Sequence, residues 1–309
     1  MEKIILDCDP GHDDAVAIML AGNAPELELL GITVTAGNQT LDNTVRNALH
    51  VTEWLGIDVP VYAGCDRPMI RDKVIAADIH GKTGLDGPVF PPDMKKQAEP
   101  EHAVSFLIRT LLASDGDITV VTTGPMTNLA MALRLAPQIA EKIRRIVLMG
   151  GSYTNGNVTP AAEFNIMADA DAAHVCFTCG RPIVMIGLDV TRQALCYPDI
   201  VERMGRIGNR ASRLFTDMMG HFCRTQKEIF GWEGGPLHDP CTIAYLLDPA
   251  VIETKPMHVE IDIRSTQSYG RTNCDYFSYN KLPDNALVGV DIDTARYWDL
   301  IEDCLRRYC

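Results

Sequence analysis

Ile4-Ile5-Leu6-Asp7-Cys8-Asp9-Pro10-Gly11-His12-Asp13-Asp14-Ala15-Val16-Ala17-Ile18-Met19-Leu20 is the stretch on which the fold turns. It begins as an apolar run at Lys3–Leu6, breaks at Pro10-Gly11, and continues over Asp13–Ala21 with the spacing of an amphipathic helix. A strand, a tight turn and a helix in immediate succession are the opening of a βαβ unit. The same succession recurs downstream. Leu30–Thr35 reads as a strand and Thr40–Leu55 as a helix. Val59–Ala63 follows, then Ile118–Thr122 before Met126–Leu135, Ile146–Met149 before Gly150-Gly151, and Ile183–Gly187 before Asp189. These strands are continuously apolar rather than alternating, as in a parallel sheet covered on both faces. Right-handed crossovers then give an α/β fold, an open, doubly wound, mostly parallel sheet of the Rossmann type. There is no internal repeat and no linker, so residues 1–309 are expected to form one domain.

Two stretches depart from this rhythm. Residues 66–100 are rich in Pro, Gly and Asp and lack a long periodic pattern. Residues 199–235 read as helical and end in Gly231, Gly234 and Gly235, a helical insertion expected near the active site as a lid. From Val259 onwards strands return, followed by a final helix around Tyr297–Arg307.

Composition narrows the function. With 46% hydrophobic and 22% charged residues, 309 residues can bury a large core. The formal net charge of -13 argues against a nucleic-acid partner, which needs clustered Lys and Arg. The ten cysteines are irregularly spaced, often in apolar runs such as those of Cys8 and Cys241. They read as buried free thiols, and the Cys176–Cys179 pair as incidental. No apolar run approaches the roughly 20 residues that span a membrane. The chain enters a strand at once, so no signal peptide is expected, and a reducing cytoplasm fits.

Four carboxylates, Asp7, Asp9, Asp13 and Asp14, stand within eight residues at the carboxyl end of the first strand, where open α/β sheets place their ligands. Crowded carboxylates repel one another, and a cation relieves the repulsion. Oxygen donors with no nearby His or Cys ligand favour Ca²⁺ or Mg²⁺. The simpler alternative, that Asp13 and Asp14 only serve the helix N-terminus, suffices for one Asp but not for four.

The segment Asp7-Cys8-Asp9-Pro10-Gly11-His12-Asp13-Asp14-Ala15 resembles the opening signature of the inosine–uridine nucleoside hydrolase family. Ala36-Gly37-Asn38, Ile79-His80-Gly81, Thr123-Gly124-Pro125-Met126-Thr127-Asn128, Met149-Gly150-Gly151, Glu163-Phe164-Asn165 and His238-Asp239-Pro240 match it in order. The layout is similar to that of the ribonucleoside hydrolases of enteric bacteria, including pyrimidine-preferring members. The resemblance implies hydrolysis of the N-glycosidic bond of ribonucleosides, in nucleoside catabolism and salvage, by a homodimer or homotetramer. It also implies Ca²⁺ held by Asp9, Asp14, Asp239 and the Thr123 carbonyl. Asp9 would be the general base, and His238 would assist the leaving base. Asp13, Asn38, Glu163 and Asn165 would bind the ribose hydroxyls, Asn157 would lie near the 5′-hydroxyl, and His80 with His238 on the base side. A direct attack by water implies inversion at the anomeric carbon.

Gln226 and Phe230 lie one helical turn apart, so both can face one pocket and read a pyrimidine, the amide by its edge and the ring by its face. In the pyrimidine-preferring hydrolases a Tyr matches Phe230. Its loss of a hydroxyl leaves a broad inosine–uridine specificity open beside a preference for uridine and cytidine. His12 carries no assigned role. Two further readings stay open. Asp-x-Asp after a strand also opens the haloacid dehalogenase-type phosphatases, although Gly11 stands where they have Thr or Val. A calcium-dependent nucleoside-binding protein without catalysis would use the same carboxylates.

Overall fold

The computed structural model describes residues 1–308. Eight strands form the main sheet: β1 (Glu2–Cys8), β2 (Leu27–Val34), β3 (Val61–Ala63), β4 (Ile118–Thr122), β5 (Ile143–Met149), β6 (Ile183–Ile186), β9 (Ile252–Met257) and β12 (Ala286–Ile292). Two ribbons complete the set. One pairs β7 (Leu195–Cys196) with β8 (Gly235–Pro236), the other β10 (Val259–Ile261) with β11 (Thr272–Cys274). The spatial order is β3-β2-β1-β4-β5-β6-β12-β9, parallel throughout except for β9, which runs antiparallel to β12 at the edge.

The central strands show why their sequences are apolar without interruption. Ile4, Leu6 and Cys8 of β1 join one hydrophobic cluster, while Ile5 joins the other, and Val121 and Val120 of β4 divide in the same way. Helices His12–Asn23, Leu41–Leu55, Arg210–Phe230, Pro240–Leu247 and Thr294–Arg306 cover the first face; Ala103–Ala113, Thr127–Leu135 and Ala170–Phe177 cover the second. Both faces are dry, as a parallel sheet requires.

Helix His12–Asn23 departs from the amphipathic reading of Asp13–Ala21. Every residue from His12 to Ala21 is buried. The helix is enclosed by the sheet and by helices Leu41–Leu55, Pro240–Leu247, Arg210–Phe230 and Thr294–Arg306, so no face meets water. The stretch 66–100 contains only the short helix Ala77–His80 and a bridge between Tyr62 and Glu99. Residues 199–235 form two helices, Pro198–Gly205 and Arg210–Phe230, the second closed by Gly231 in the left-handed conformation (φ 72°). In the tail, β12 inserts between β6 and β9, so the last strand in sequence is not the last in space.

This order fixes the place of the site. From β1 the chain runs outward to β2 and β3, then returns to lay β4 on the other side of β1. The crevice beyond the carboxyl ends of β1 and β4 is therefore the topological switch point, where doubly wound sheets bind ligands. Asp7 stands opposite Thr122 across that junction, so the residues that follow, Asp9 and Thr123, meet at its rim.

Candidate active site

The turn after β1 places its carboxylates at different depths. Asp9 is fully buried, and its Oδ2 accepts the Asn38 backbone N–H at 2.6 Å. Gly37 and Gly124 make that placement possible: a Cβ at Gly37 would stand 2.0 Å from Asp9 Oδ2, and one at Gly124 2.4 Å from Asp9 Oδ1. Asp14 is the most tied of the four. It accepts from the Gly11 N–H at 3.0 Å, Asn38 Nδ2 at 2.9 Å and Thr123 Oγ1 at 2.7 Å. The bond from Gly11 is the N-terminal capping contact of the helix, so Asp14 both caps and faces the site. Asp239 arrives from the start of helix Pro240–Leu247.

Asp13, Asp14 and Asp239 each bring one oxygen within 4.8 Å of the others, an arrangement that could hold a metal ion. Asp9 lies beside this triple but not in it. Burial pushes Asp9 and Asp239 well above the usual carboxylate range, and burial with the Asp14 charge pushes Asp13 up to about 7. Asp9 Oδ1 and Asp13 Oδ1 are buried with no hydrogen-bond partner. Unsatisfied buried carboxylate oxygens are costly, and a cation held at this cluster would relieve that cost.

Above the carboxylates opens a cavity of about 290 Å³, of the size that takes a small organic ligand. Of the residues expected from sequence, Asp13, Asn38, His80, Thr123, Asn157, Glu163, Asn165, Gln226, Phe230, His238 and Asp239 line it, while the fully buried Asp9 and Asp14 do not. Glu163 accepts from the N–H groups of Gly151, Asn165 and Ile166 at 2.8–3.1 Å, which orient its carboxylate although burial pushes it up. Asn165 donates to the carbonyls of Thr123 (2.7 Å) and Met149 (3.1 Å), tying the ends of β4 and β5 together. Asn157 is exposed at the rim, its Oδ1 accepting the Phe164 N–H at 2.9 Å.

His238 is half-buried and meets the Thr191 hydroxyl at 2.6 Å through Nδ1. Burial, with a smaller contribution from the Arg192 charge, pushes it down to about 3. His80 is buried and also held well below its ordinary range, by burial first. His12, unassigned from sequence, proves to be its neighbour, with Nδ1 atoms 3.4 Å apart and rings stacked at 5.6 Å. Gln226 is buried with its Oε1 unpartnered. Phe230 is 47% exposed and stacks on Trp232 at 5.0 Å. Sequence reasoning did not single out Trp232, Thr191 or Arg192, since none belongs to a motif with a chemical signature.

The chain matches the model of the inosine-uridine preferring nucleoside hydrolases over residues 4–299. It belongs to that nucleoside hydrolase family. The pyrimidine-specific ribonucleoside hydrolase RihB of Escherichia coli K12 is 55% identical over 306 residues, 99% of this chain and 97% of that protein, and RihB of Escherichia fergusonii is as similar. Among solved structures, the purine-preferring ribonucleoside hydrolase of Gardnerella vaginalis superposes with a TM-score of 0.91 at 36% identity, covering 99% of both chains. The plant nucleoside hydrolase PpNRh1 superposes with 0.92 at 31%, again over 99% of both. This nucleoside hydrolase is thus an enzyme that splits the N-glycosidic bond of ribonucleosides with water, on the mostly parallel α/β sheet read from its sequence. The aspartyl-phosphate reading of Asp7-Cys8-Asp9 falls away, as does the non-catalytic one.

The cysteines of the described residues are free thiols, Cys8, Cys176, Cys196, Cys241 and Cys304 being buried; Cys309 lies outside those residues. No helix among them is long and apolar enough to cross a membrane.

Proposed function

We propose that this hydrolase is calcium-dependent, prefers uridine and cytidine, and works as a cytoplasmic homodimer or homotetramer. The observation that carries the cation is the pair of buried, unpartnered oxygens Asp9 Oδ1 and Asp13 Oδ1 beside Asp14 and Asp239. An all-oxygen donor set of carboxylates and the Thr123 carbonyl suits a hard ion such as Ca²⁺. Bound there, Ca²⁺ would act as a Lewis acid towards water and anchor vicinal ribose hydroxyls.

The remaining work falls to the chain. Asp9, fixed through Oδ2 by Asn38, has Oδ1 free to take the proton of the attacking water. Asp13, Asn38, Glu163 and Asn165 hold the ribose, with Asn157 at its 5′ end. The reaction builds positive charge on the sugar ring, and the oriented carboxylate of Glu163 stabilises it. With Nδ1 of His238 occupied by Thr191, its Nε2 is left to donate towards the departing base. Attack without a covalent intermediate inverts the anomeric carbon.

Base preference rests on Gln226. Its unpartnered Oε1 can accept from the N3–H of uracil or the N4 amino group of cytosine, and its amide N–H groups can donate to the neighbouring acceptors of either base. Phe230 supplies an apolar wall. The 55% identity to pyrimidine-specific enzymes against 36% to a purine-preferring one supports the same choice. The test is kcat/KM for uridine, cytidine and inosine. We expect both pyrimidine nucleosides to exceed inosine and Gln226→Ala to narrow the gap. Equal turnover of inosine and uridine by the wild type would refute the preference and leave the hydrolase assignment standing.

A further inference from the structure

We infer that Arg192 is a positioning residue that clamps the Asn155–Val158 rim over the pocket and so sets the enzyme's recognition of the substrate's 5′ end. The inference rests on the proposed placement of the ribose 5′-hydroxyl near Asn157.

Arg192 is half-buried, lines the pocket, and makes no ion pair with a carboxylate among the described residues. Its guanidinium instead donates to two consecutive backbone carbonyls, Nη2 to Gly156 at 2.7 Å and Nη1 to Asn155 at 3.2 Å. Those carbonyls belong to a tightly wound loop. The N–H groups of Asn157, Val158 and Thr159 converge on the Ala162 carbonyl at 3.2–3.4 Å. A Cβ on Gly156 would stand 2.1 Å from the same oxygen, so the winding needs glycine there. The loop presents Gly156, Asn157 and Val158 to the cavity. Asn157 Oδ1 is spent on the Phe164 N–H, which leaves its amide N–H groups for a ligand oxygen.

The other flank of the loop is held from the same short helix, Leu188–Thr191. Asp189 accepts from the Ser152 hydroxyl at 2.9 Å and the Tyr153 N–H at 2.8 Å, and pairs with the Thr154 hydroxyl. Asp189 thus fixes where the loop leaves β5, and Arg192 fixes its tip. A guanidinium is suited to the second task, because its rigid fork spans two acceptors that a single ammonium cannot hold in the same geometry. Its hydrogen bonds are thus spent on backbone carbonyls rather than on a carboxylate.

The test compares uridine with 5′-deoxyuridine in the wild type, Arg192→Ala and Arg192→Lys. The wild type should favour uridine. Arg192→Ala should lower kcat/KM for uridine by on the order of 10²-fold, as misplacing a binding group by about 1 Å does. It should leave 5′-deoxyuridine nearly unchanged, so that the preference collapses, with Arg192→Lys intermediate. Equal losses on both substrates would make Arg192 a general structural support and overturn the inference, as would no loss on either. If Arg192→Ala does not fold, Arg192→Lys alone carries the comparison. A wild type that releases no uracil from uridine would instead sink the nucleoside reading on which this rests.

Discussion

Asp9 occupies space that two glycines leave open. Any side chain at Gly37 or Gly124 would collide with its oxygens, Asn38 occupies one of them, and the other has no protein partner. A carboxylate held through one oxygen, with the other free, is pre-positioned for a single acceptor role. Asp9→Asn should therefore lower kcat for uridine by roughly 10²–10⁴-fold, the range of lost general-base catalysis, with little change in fold. Steady-state kinetics would decide it, and near-normal turnover would remove Asp9 from that role. At this scale the sequence was most legible where function is written contiguously, as in Asp7–Asp14. Thr191 and Arg192 escaped because their meaning comes from residues far away in sequence. Thr191 matters through His238, and Arg192 through the carbonyls of Asn155 and Gly156.

The Leu188–Thr191 helix has only four residues, yet with Arg192 at its C-cap it supports the site at three points: Asp189 and Arg192 hold the 152–156 loop, and Thr191 holds His238. Among the described residues the Thr191 hydroxyl has the imidazole as its one hydrogen-bond partner, which fixes ring orientation in the way that partners of catalytic histidines do. Thr191→Val, which keeps the shape and removes the hydroxyl, should slow uridine cleavage at least about tenfold, the cost of one lost hydrogen bond to a charged or developing-charge group. An activated aryl riboside, whose leaving group departs without a proton, should lose little, and Thr191→Ser should restore uridine turnover. Equal losses on both substrates would confine Thr191 to structure. Strands and long helices were readable because their periods are local. Helix His12–Asn23 misled because its polar residues, Asp13 and Asp14, face a buried site rather than water.

Over the whole molecule, the switch point between β1 and β4 concentrates negative charge at one end of the sheet. Burial pushes Asp7 up to about 7, and Asp13 reaches about 7 as well. Both values lie above the roughly 3.9 of an unfolded Asp. A carboxyl whose folded pKa is raised stabilises the fold below its unfolded pKa, and that stability is lost as pH rises through the folded value. The chelated enzyme should thus melt at progressively lower temperature between about pH 4 and 7. Asp7→Asn should flatten part of that slope, and Ca²⁺ should offset the Asp13 share by binding only the folded state. A pH-independent Tm in chelator would contradict this. The sheet order itself was only half legible. The parallel strands announced themselves by their apolar runs, but β12 intercalates between β6 and β9 by long-range pairing, which no local pattern encodes.

Calcium dependence is decided by uracil release from uridine by enzyme treated with a strong chelator, before and after Ca²⁺ is returned. Release should stop under chelation, and Ca²⁺ should restore it together with the upward shift in Tm. Full turnover in the presence of chelator would rule out a catalytic cation.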